Sequence, residues 1–374
     1  MLDKKWLANP AIFFALRANN NSNYVHSKIT NNEMCMILKL VKKSRKLVAL
    51  SLIACALPVA AVSIQKPAIM SALSSKVLLT DSESLSGGAG YVGVGLYGHI
   101  LHSEDGNAWS QAQSPVQILL TNVFFLDDKL GWATGHDAVI LHTKDGGKNW
   151  SLQYEDPVPG GDIPKPLLDI YFKDKNNGFA IGAYGLILKT EDGGDHWLPI
   201  NTAALYDKLL DLDMEPEPNF NSFIGFGEKI LIVGELGTIL LLDPDARDEA
   251  NRWNVIESPY VGTFFGAKTV GDTDLYLYGL RGNIYHSANA GADWTKIETD
   301  VVNNIYDCID MGAGKLLFLG SGGTILTLKQ GDTATNKHPY AGFDGFMSGE
   351  LASANELILF GSSGVKKIAI DASK

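Results

Sequence analysis

The side chains that could do chemistry recur in a fixed order. "TKDGGKNW" (143–150), "TEDGGDHW" (190–197) and "SANAGADW" (287–294) each place a hydroxyl, an Asp or Asn, a Gly and a Trp at positions one, three, five and eight. A shorter copy, "SEDGNAW" (103–109), lacks one residue. His102, His142 or His286 stands just before the hydroxyl, and Lys189 takes that place in one copy. Hydroxyl, carboxylate and imidazole together could be read as a nucleophile with its base. Repetition argues against that, because a group that recurs once per structural unit radiates outward and does not converge. The same reasoning removes the histidines as metal ligands. Cys308 has no neighbouring motif and reads as core. "DPDAR" (243–247) lacks the glycine that a calcium loop of the EF type needs.

Paired carboxylates are the other chemistry to weigh. An inverting glycosidase needs two of them roughly 6.5–9.5 Å apart, one with a raised pKa. Asp137, Asp211 and Asp213 are the positions that could serve, against the plainer reading that each is solvated surface. A sialidase needs three converging arginines. Beyond residue 63 the chain has only Arg247, Arg252 and Arg281, the first two in one turn. No cofactor, metal or catalytic residue is therefore expected.

A structural reading accounts for the repeated phrase. The Ser or Thr hydroxyl and the Asp carboxylate accept backbone N–H groups within their own turn, Gly supplies a positive φ, and Trp opens the next strand and buries its ring. On this reading Ser103, Asp105 and Trp109 form one staple. Thr143, Asp145, Gly147 and Trp150 form a second, Thr190, Asp192, Gly194 and Trp197 a third, and Ser287, Asn289, Gly291 and Trp294 a fourth.

Before each phrase stands a turn and strand of the form G-x-x-G-x-I-L. Its copies are "GLYGHIL" (95–101), "GHDAVIL" (135–141), "GAYGLIL" (182–188), "GELGTIL" (234–240), "GLRGNIY" (279–285), "GSGGTIL" (320–326) and "GSSGVKK" (361–367). A period of about 40–50 residues, with four short strand signals per unit, marks a propeller. The fold class is thus all-β, a seven-bladed β-propeller of four-stranded antiparallel blades. The last unit stops after its third strand. An N-terminal strand from "AIMSALSSKVLLTD" (68–81) is expected to pair with it and close the ring. One helix is expected, at "ALYDKLLDLD" (204–213).

The N-terminus reads as an address. Residues 36–63 combine a basic stretch, an apolar run and small residues, as a secretory signal does. Residues 1–35 then form an extension ahead of it, and 64–374 the propeller. "LIAC" (52–55) also fits a lipid-anchoring motif at Cys55, and an uncleaved N-terminal anchor is the third option. Each places the body in the periplasm or otherwise outside the cytoplasm, on the lumen side in a photosynthetic cell. The whole chain carries a net charge of -11, with nine basic and two acidic residues among the first 63. The acidic body that remains would repel a phosphate backbone, so nucleic acid is excluded as a partner.

The phrase is the Asp-box, and the chain resembles the BNR/Asp-box repeat proteins. The longer runs "FFLDDKLGWATGHDAVILHTKDGGKNW" (124–150) and "YFKDKNNGFAIGAYGLILKTEDGGDHW" (171–197) resemble the photosystem II stability/assembly factor family. That resemblance implies an exported, non-enzymatic propeller that assists membrane-protein assembly, with a membrane protein or complex as partner. Photosynthetic members carry an arginine-rich patch, and the three arginines here depart from it. The resemblance then implies an accessory role, such as beside an exporter. Asp-box propellers also include glycoside hydrolases and carbohydrate-binding proteins, which stay open as the alternative.

Binding is expected on the face that carries the G-x-x-G turns, as a monomer. The ring of variable residues includes Tyr97, His136, Asp137, Tyr184, Glu235 and Arg281, and exposed Tyr and Arg are enriched in binding hot spots. Two long insertions, 155–166 and 206–221, emerge on the same face. The second offers an acidic lip of Asp207, Asp211, Asp213, Glu215 and Glu217.

Overall fold

The computed structural model describes residues 65–156 and 165–370. These residues form 27 strands, β1 to β27 in chain order, in seven antiparallel sheets. Six sheets hold four consecutive strands, and the seventh holds β25 (Phe346–Ser353), β26 (Glu356–Gly361) and β27 (Gly364–Ala369). The first strand of every sheet lies innermost. These are β1 (Leu79–Leu85), β5 (Leu120–Phe125), β9 (Leu167–Phe172), β13 (Phe220–Phe226), β17 (Phe264–Val270), β21 (Ile305–Asp310) and β25. Each touches the next, and β25 touches β1, so the sheets close into a seven-bladed ring. The helix α1 (Ala203–Asp211) sits between blades three and four. Among the described residues no helix is long and apolar enough to cross a membrane. The N-terminal extension, the signal segment, Cys55 and residues 157–164 of the first insertion lie outside the described residues.

The second strands show why the sequence alternates so little. "GWATG" in blade two and "GFAIG" in blade three are buried at every residue. Both faces of such a strand are covered by neighbouring blades, so apolar residues run continuously. The G-x-x-G turn that follows is pressed against its own innermost strand. The residue after the first glycine donates its N–H to the carbonyl at the start of that strand in all seven blades, from Leu96 to Leu78 (3.0 Å) through Ser362 to Gly345 (2.9 Å). A Cβ on Gly234 would stand 2.3 Å from the Asn219 carbonyl oxygen, which is why the position takes only glycine.

The Asp-boxes are self-stapled as expected. Thr143 Oγ1 donates to Asp145 Oδ1 (2.9 Å) and accepts the Gly147 N–H (3.2 Å). Asp145 Oδ1 accepts the Asn149 N–H (2.9 Å), and Trp150 Nε1 donates to the Gly147 carbonyl (2.9 Å). Thr190 with Asp192 and Ser287 with Asn289 repeat the pattern. In the shorter copy, Asp105 Oδ1 accepts the N–H groups of both Asn107 and Ala108. The tryptophan reaches further than its own blade. Trp150 packs with Val92 and Val94 of blade one, and Trp109 stands edge-on to Phe360 of blade seven, centroids 5.4 Å apart. Each box is therefore a clasp on the preceding blade.

Ring closure differs from the expectation. No N-terminal strand pairs with β27 among the described residues, because the strand-forming residues Leu79–Leu85 are used as the innermost strand of blade one. The segment before them takes the place of an inter-blade linker. Its turn at Ser74–Lys76 lies against Gly364, where a Cβ would meet the Ser75 carbonyl oxygen at 2.0 Å. Gly237 meets the linker carbonyl of Tyr260 in the same way, and Gly282 that of Val301. Ser82 and Ser348 hydroxyls, 2.8 Å apart, complete the junction of blades one and seven.

The innermost strands surround a central channel of about 880 Å³. Asp81 Oδ2 accepts the Val123 N–H (2.9 Å), Asp169 Oδ2 that of Phe223 (2.7 Å) and Asp307 Oδ2 that of Gly349 (2.9 Å). Each carboxylate thus ties its strand to the next blade. Burial pushes all three carboxyls up, Asp169 to about 7. Glu83 and Glu350 also line the channel, with Lys268 as its one lysine. Burial raises Glu83 to about 7 against the opposing charge of Lys268. Burial, then the Glu83 charge, raises Glu350.

Two expectations follow from this packing. Trp150→Ala should cost about 3–5 kcal/mol in equilibrium denaturation, as for a buried aromatic ring. Trp109→Ala should cost less, because its ring is only half-buried. Glu83 binds a proton more readily folded than unfolded, so its contribution to stability is full below its ordinary value of 4.5 and is lost as pH rises to about 7. Glu83→Gln should flatten the fall in stability across that window in urea titrations, and an unaltered slope would show Glu83 to be fully solvated.

Candidate functional site: the turn face

In blades one to six the second variable residue of the G-x-x-G turn is held in the left-handed region whatever its type. Tyr97 (φ 63°), Asp137 (57°), Tyr184 (55°), Leu236 (53°) and Arg281 (57°) all adopt it, as does Gly322 (62°). For a residue with a Cβ this costs roughly 1–2 kcal/mol. In these six blades the turn is also bonded to the inner strand, and its second residue stands at the surface. Tyr97 is 56% exposed, Tyr184 59% and Leu236 57%. His136 and Arg281 are exposed, while Asp137 and Glu235 are half-buried.

The linkers between blades add a second row beside these turns. The Gly237 N–H donates to the Gly262 carbonyl (2.7 Å), and the Gly323 N–H to that of Asp344. This brings linker tips against the turns, with Val261 86%, Val302 83% and Phe343 92% exposed. Large apolar side chains that water would be expected to repel therefore crowd one face. The sequence reading missed this row, since lone valines and a phenylalanine in loops carry no spacing signal.

Helix α1 builds the acidic side of the same face. Leu205 and Leu209 are buried with Phe220 and Trp253, while Leu210 and Leu212 are exposed. The insertion is folded onto the turn of blade three. Gly185 donates its N–H to the Pro218 carbonyl (3.0 Å), and Tyr184 its own to Asn219 Oδ1 (2.8 Å). Lys165 Nζ donates to the Tyr184 carbonyl (3.0 Å). Asp207, Asp211, Asp213, Glu215 and Glu217 are all exposed. Tyr184 and the acidic lip thus belong to one neighbourhood, whereas Tyr97 and Arg281 stand on other blades, one and five.

Other sequence-derived positions are structural. His142 stacks on Trp132 with centroids 5.1 Å apart, and burial lowers it to about 4. His286 Nε2 lies 2.7 Å from Asp274 Oδ1 and stacks on Tyr276. Cys308 is buried as a free thiol. Asp245 of the degenerate turn is ion-paired with Lys173 (3.0 Å). Arg252 donates to the Ala246 carbonyl within that turn, on a different loop from Arg281. Asp211 and Asp213 sit in the open, where a carboxyl keeps its hydration. The carboxylates lining the channel, of which Asp169 is buried and Asp81 and Asp307 half-buried, were not anticipated. Their signal was the recurring Asp third in an inner strand, as in "LTD", "LLD" and "IYD", which aligned inner strands would have revealed. Among the described residues no group of three or more His, Cys, Asp or Glu is arranged to hold a metal ion.

The comparisons with known proteins agree with this geometry. The model of the family described as Photosynthesis system II assembly factor YCF48 matches residues 161–342. No functionally curated protein matches in sequence. Among solved structures, "YCF48 bound to D1 peptide" is similar with a TM-score of 0.60 and 16% identity, covering 83% of this chain and 96% of that one. YCF48 from Cyanidioschyzon merolae gives 0.62 and 16%, covering 79% and 96%. The WD40 propeller domain of Doa1 gives 0.58 and 12%, covering 83% and 98%. The matched segment spans blades three to six, and the same glycine turn recurs on both sides of it. Residues 161–342 thus resemble the photosystem II assembly factor family, and the described residues share the propeller fold of these structures.

Proposed function

We propose that the chain is an exported, non-enzymatic assembly or accessory factor that holds a membrane protein against its turn face. The observation that supports this most is the concentration of exposed apolar side chains on that face, several carried on backbone kept in a costly conformation. Strain at exposed positions is retained where the outward side chain is used. One structural neighbour is a YCF48 bound to a peptide of D1. The acidic lip beside Tyr184 favours a partner segment with Lys or Arg near apolar residues. The channel carboxylates fit the same reading, since three of them are occupied in joining blades. The exported location accords with the signal-like residues 36–63 and places the face where loops of an inner-membrane or lumenal complex are accessible.

The experiment is recovery of a membrane partner from detergent-solubilised membranes on the immobilised protein. Tyr184→Ala combined with Asp211→Lys and Asp213→Lys should reduce it at least tenfold, the scale of one hot-spot residue. Recovery unchanged by the triple substitution would remove the proposal.

One observation favours the glycosidase alternative, namely two glutamates with raised pKa, Glu83 and Glu350, in one channel. A carboxylic acid kept protonated near neutrality is what a general acid requires. On the binding reading the purified protein should hydrolyse no glycan in a broad screen at pH 5 to 7. Turnover abolished by Glu83→Gln would establish the alternative instead.

A further inference from the structure

Blade seven is unlike its six sisters. In those, a fourth strand covers the third: the Ile256 N–H donates to the Ile239 carbonyl in blade four (2.9 Å), and the His338 N–H to that of Ile325 in blade six (2.9 Å). Val365 holds the place of Ile325, since Phe360 faces Val365 where Leu319 faces Ile325. Among the described residues β27 has no outer partner. The Ile370 N–H donates to the Asn355 carbonyl (2.8 Å), which sets the alternation of the ladder. Val365, Lys367 and Ala369 therefore turn their N–H and C=O groups outward. Lys367 and Ala369 are exposed, whereas β23 (Thr324–Lys329) of blade six is buried except at its last residue.

A cleft accompanies the open edge. Between blades one and two the space beside Leu85 and Ser103 is filled by the Asp-box turn 145–148 of blade two, which leaves about 170 Å³. The equivalent space between blades six and seven, beside Met311 and Leu328, measures about 440 Å³. No Asp-box of blade seven occupies it among the described residues. The chain's own N-terminal segment does not head there either. From Ser75 at Gly364 it runs back to Gln111 and then Ser114 and Gln117 of blade one, away from β27.

We propose that the edge of β27 and the cleft beside it form a strand-addition site. Its occupant is an extended segment of a partner protein that adds antiparallel to β27, led by a glycine turn and a large aromatic residue. The sister blades define that chemistry, because a glycine turn and a tryptophan fill the matching cleft wherever a box is present. Main-chain bonds to Val365, Lys367 and Ala369 supply the affinity and the aromatic the selectivity. Lys366 is drawn to Asp344 (2.6 Å) and Lys367 lies 3.5 Å from Glu356, so these lysines also discourage pairing with unrelated strands. The site lies at the outer edge of the ring and is independent of the turn face.

The test uses the full chain and a fluorescent peptide, KDGGKNWSLQYE, copied from residues 144–155. Anisotropy should show saturable binding that is weakened at least tenfold by Lys367→Pro, which removes the outward N–H together with the lysine side chain, and is unchanged by Lys367→Ala, which removes the side chain alone. Replacing the peptide's tryptophan by alanine should weaken it by a similar factor. Amide exchange on the unaltered protein gives a second reading: Lys367 and Ala369 should exchange freely alone and be protected by the peptide. Absence of saturable binding, or equal binding to Lys367→Pro, would overturn the site. So would protection of both amides without peptide, which assigns the edge to the chain's own residues, or protection that grows with protein concentration, which assigns it to a second copy.

Discussion

An innermost strand in a ring of sheets has an edge that no other strand can cover. Its N–H and C=O groups face the centre, where leaving them unbonded is costly. This chain completes them with side chains from the blade before. Thr80 donates to the Leu120 carbonyl (2.7 Å), Thr121 to that of Leu167 (2.7 Å) and Asn221 to that of Phe264 (2.8 Å). Asp81, Asp169 and Asp307 accept the complementary N–H groups. A carboxylate does this better than a neutral acceptor, because charge-assisted bonds are shorter and stronger. The raised pKa of these groups is the cost of placing charge where the bonds are needed. Acidity in the channel is thus first a consequence of closure.

The outer parts of each blade obey a different rule, and it explains what could be read in the sequence. The G-x-x-G turn and the Asp-box draw on residues close along the chain. Thr143, Asp145, Gly147 and Trp150 make their bonds within eight residues, so the pattern survives as a phrase that can be recognised. The blade number and the location of α1 were legible for the same reason. The inner-strand carboxylates act on partners 42 to 54 residues away, such as Asp81 on Val123 and Asp169 on Phe223. Nothing in the local spacing announces such a bond. The N-terminal segment was misread for a related reason. Its apolar residues identify strand material but not which of two adjacent sheets it joins, and Leu79–Leu85 serve as the first strand of blade one.

The turn face was legible in part. The sequence shows which residues occupy the variable turn positions, but their direction is set by the hydrogen bond that holds the turn on the inner strand. In blades one to six the second residue of that bonded turn is left-handed, and Tyr97, Tyr184, Leu236 and Arg281 are all exposed. The tyrosines make only peripheral contacts there, Tyr97 edge-on to His99 and Tyr184 beneath Lys165, and glycine or asparagine would relieve the strain. Blade six shows the relieved form with Gly322. Beside it the linker carries Phe343, almost wholly exposed, and Val302 belongs to the linker whose Asn304 accepts the Arg281 N–H in blade five. The apolar surface continues around the ring after the turns cease to supply it.

Rigidity and recognition are separated by this arrangement. The four boxes clasp blades one, two, three and five to their predecessors, so a partner docking on the turn face meets side chains borne on a stiff ring. A surface held in place loses little conformational freedom on binding, and that saving appears as affinity. Blade seven is the exception, because the ring closes there through a turn at Ser74–Lys76 and through Ser82 and Ser348, with no shared outer strand. Its edge bonds are unmade among the described residues, and its cleft is wider than its counterpart between blades one and two. Among the described residues the six complete blades end in outer strands of two to four residues, whereas blade seven ends in the six-residue β27, so the longest run of open edge lies at that one blade.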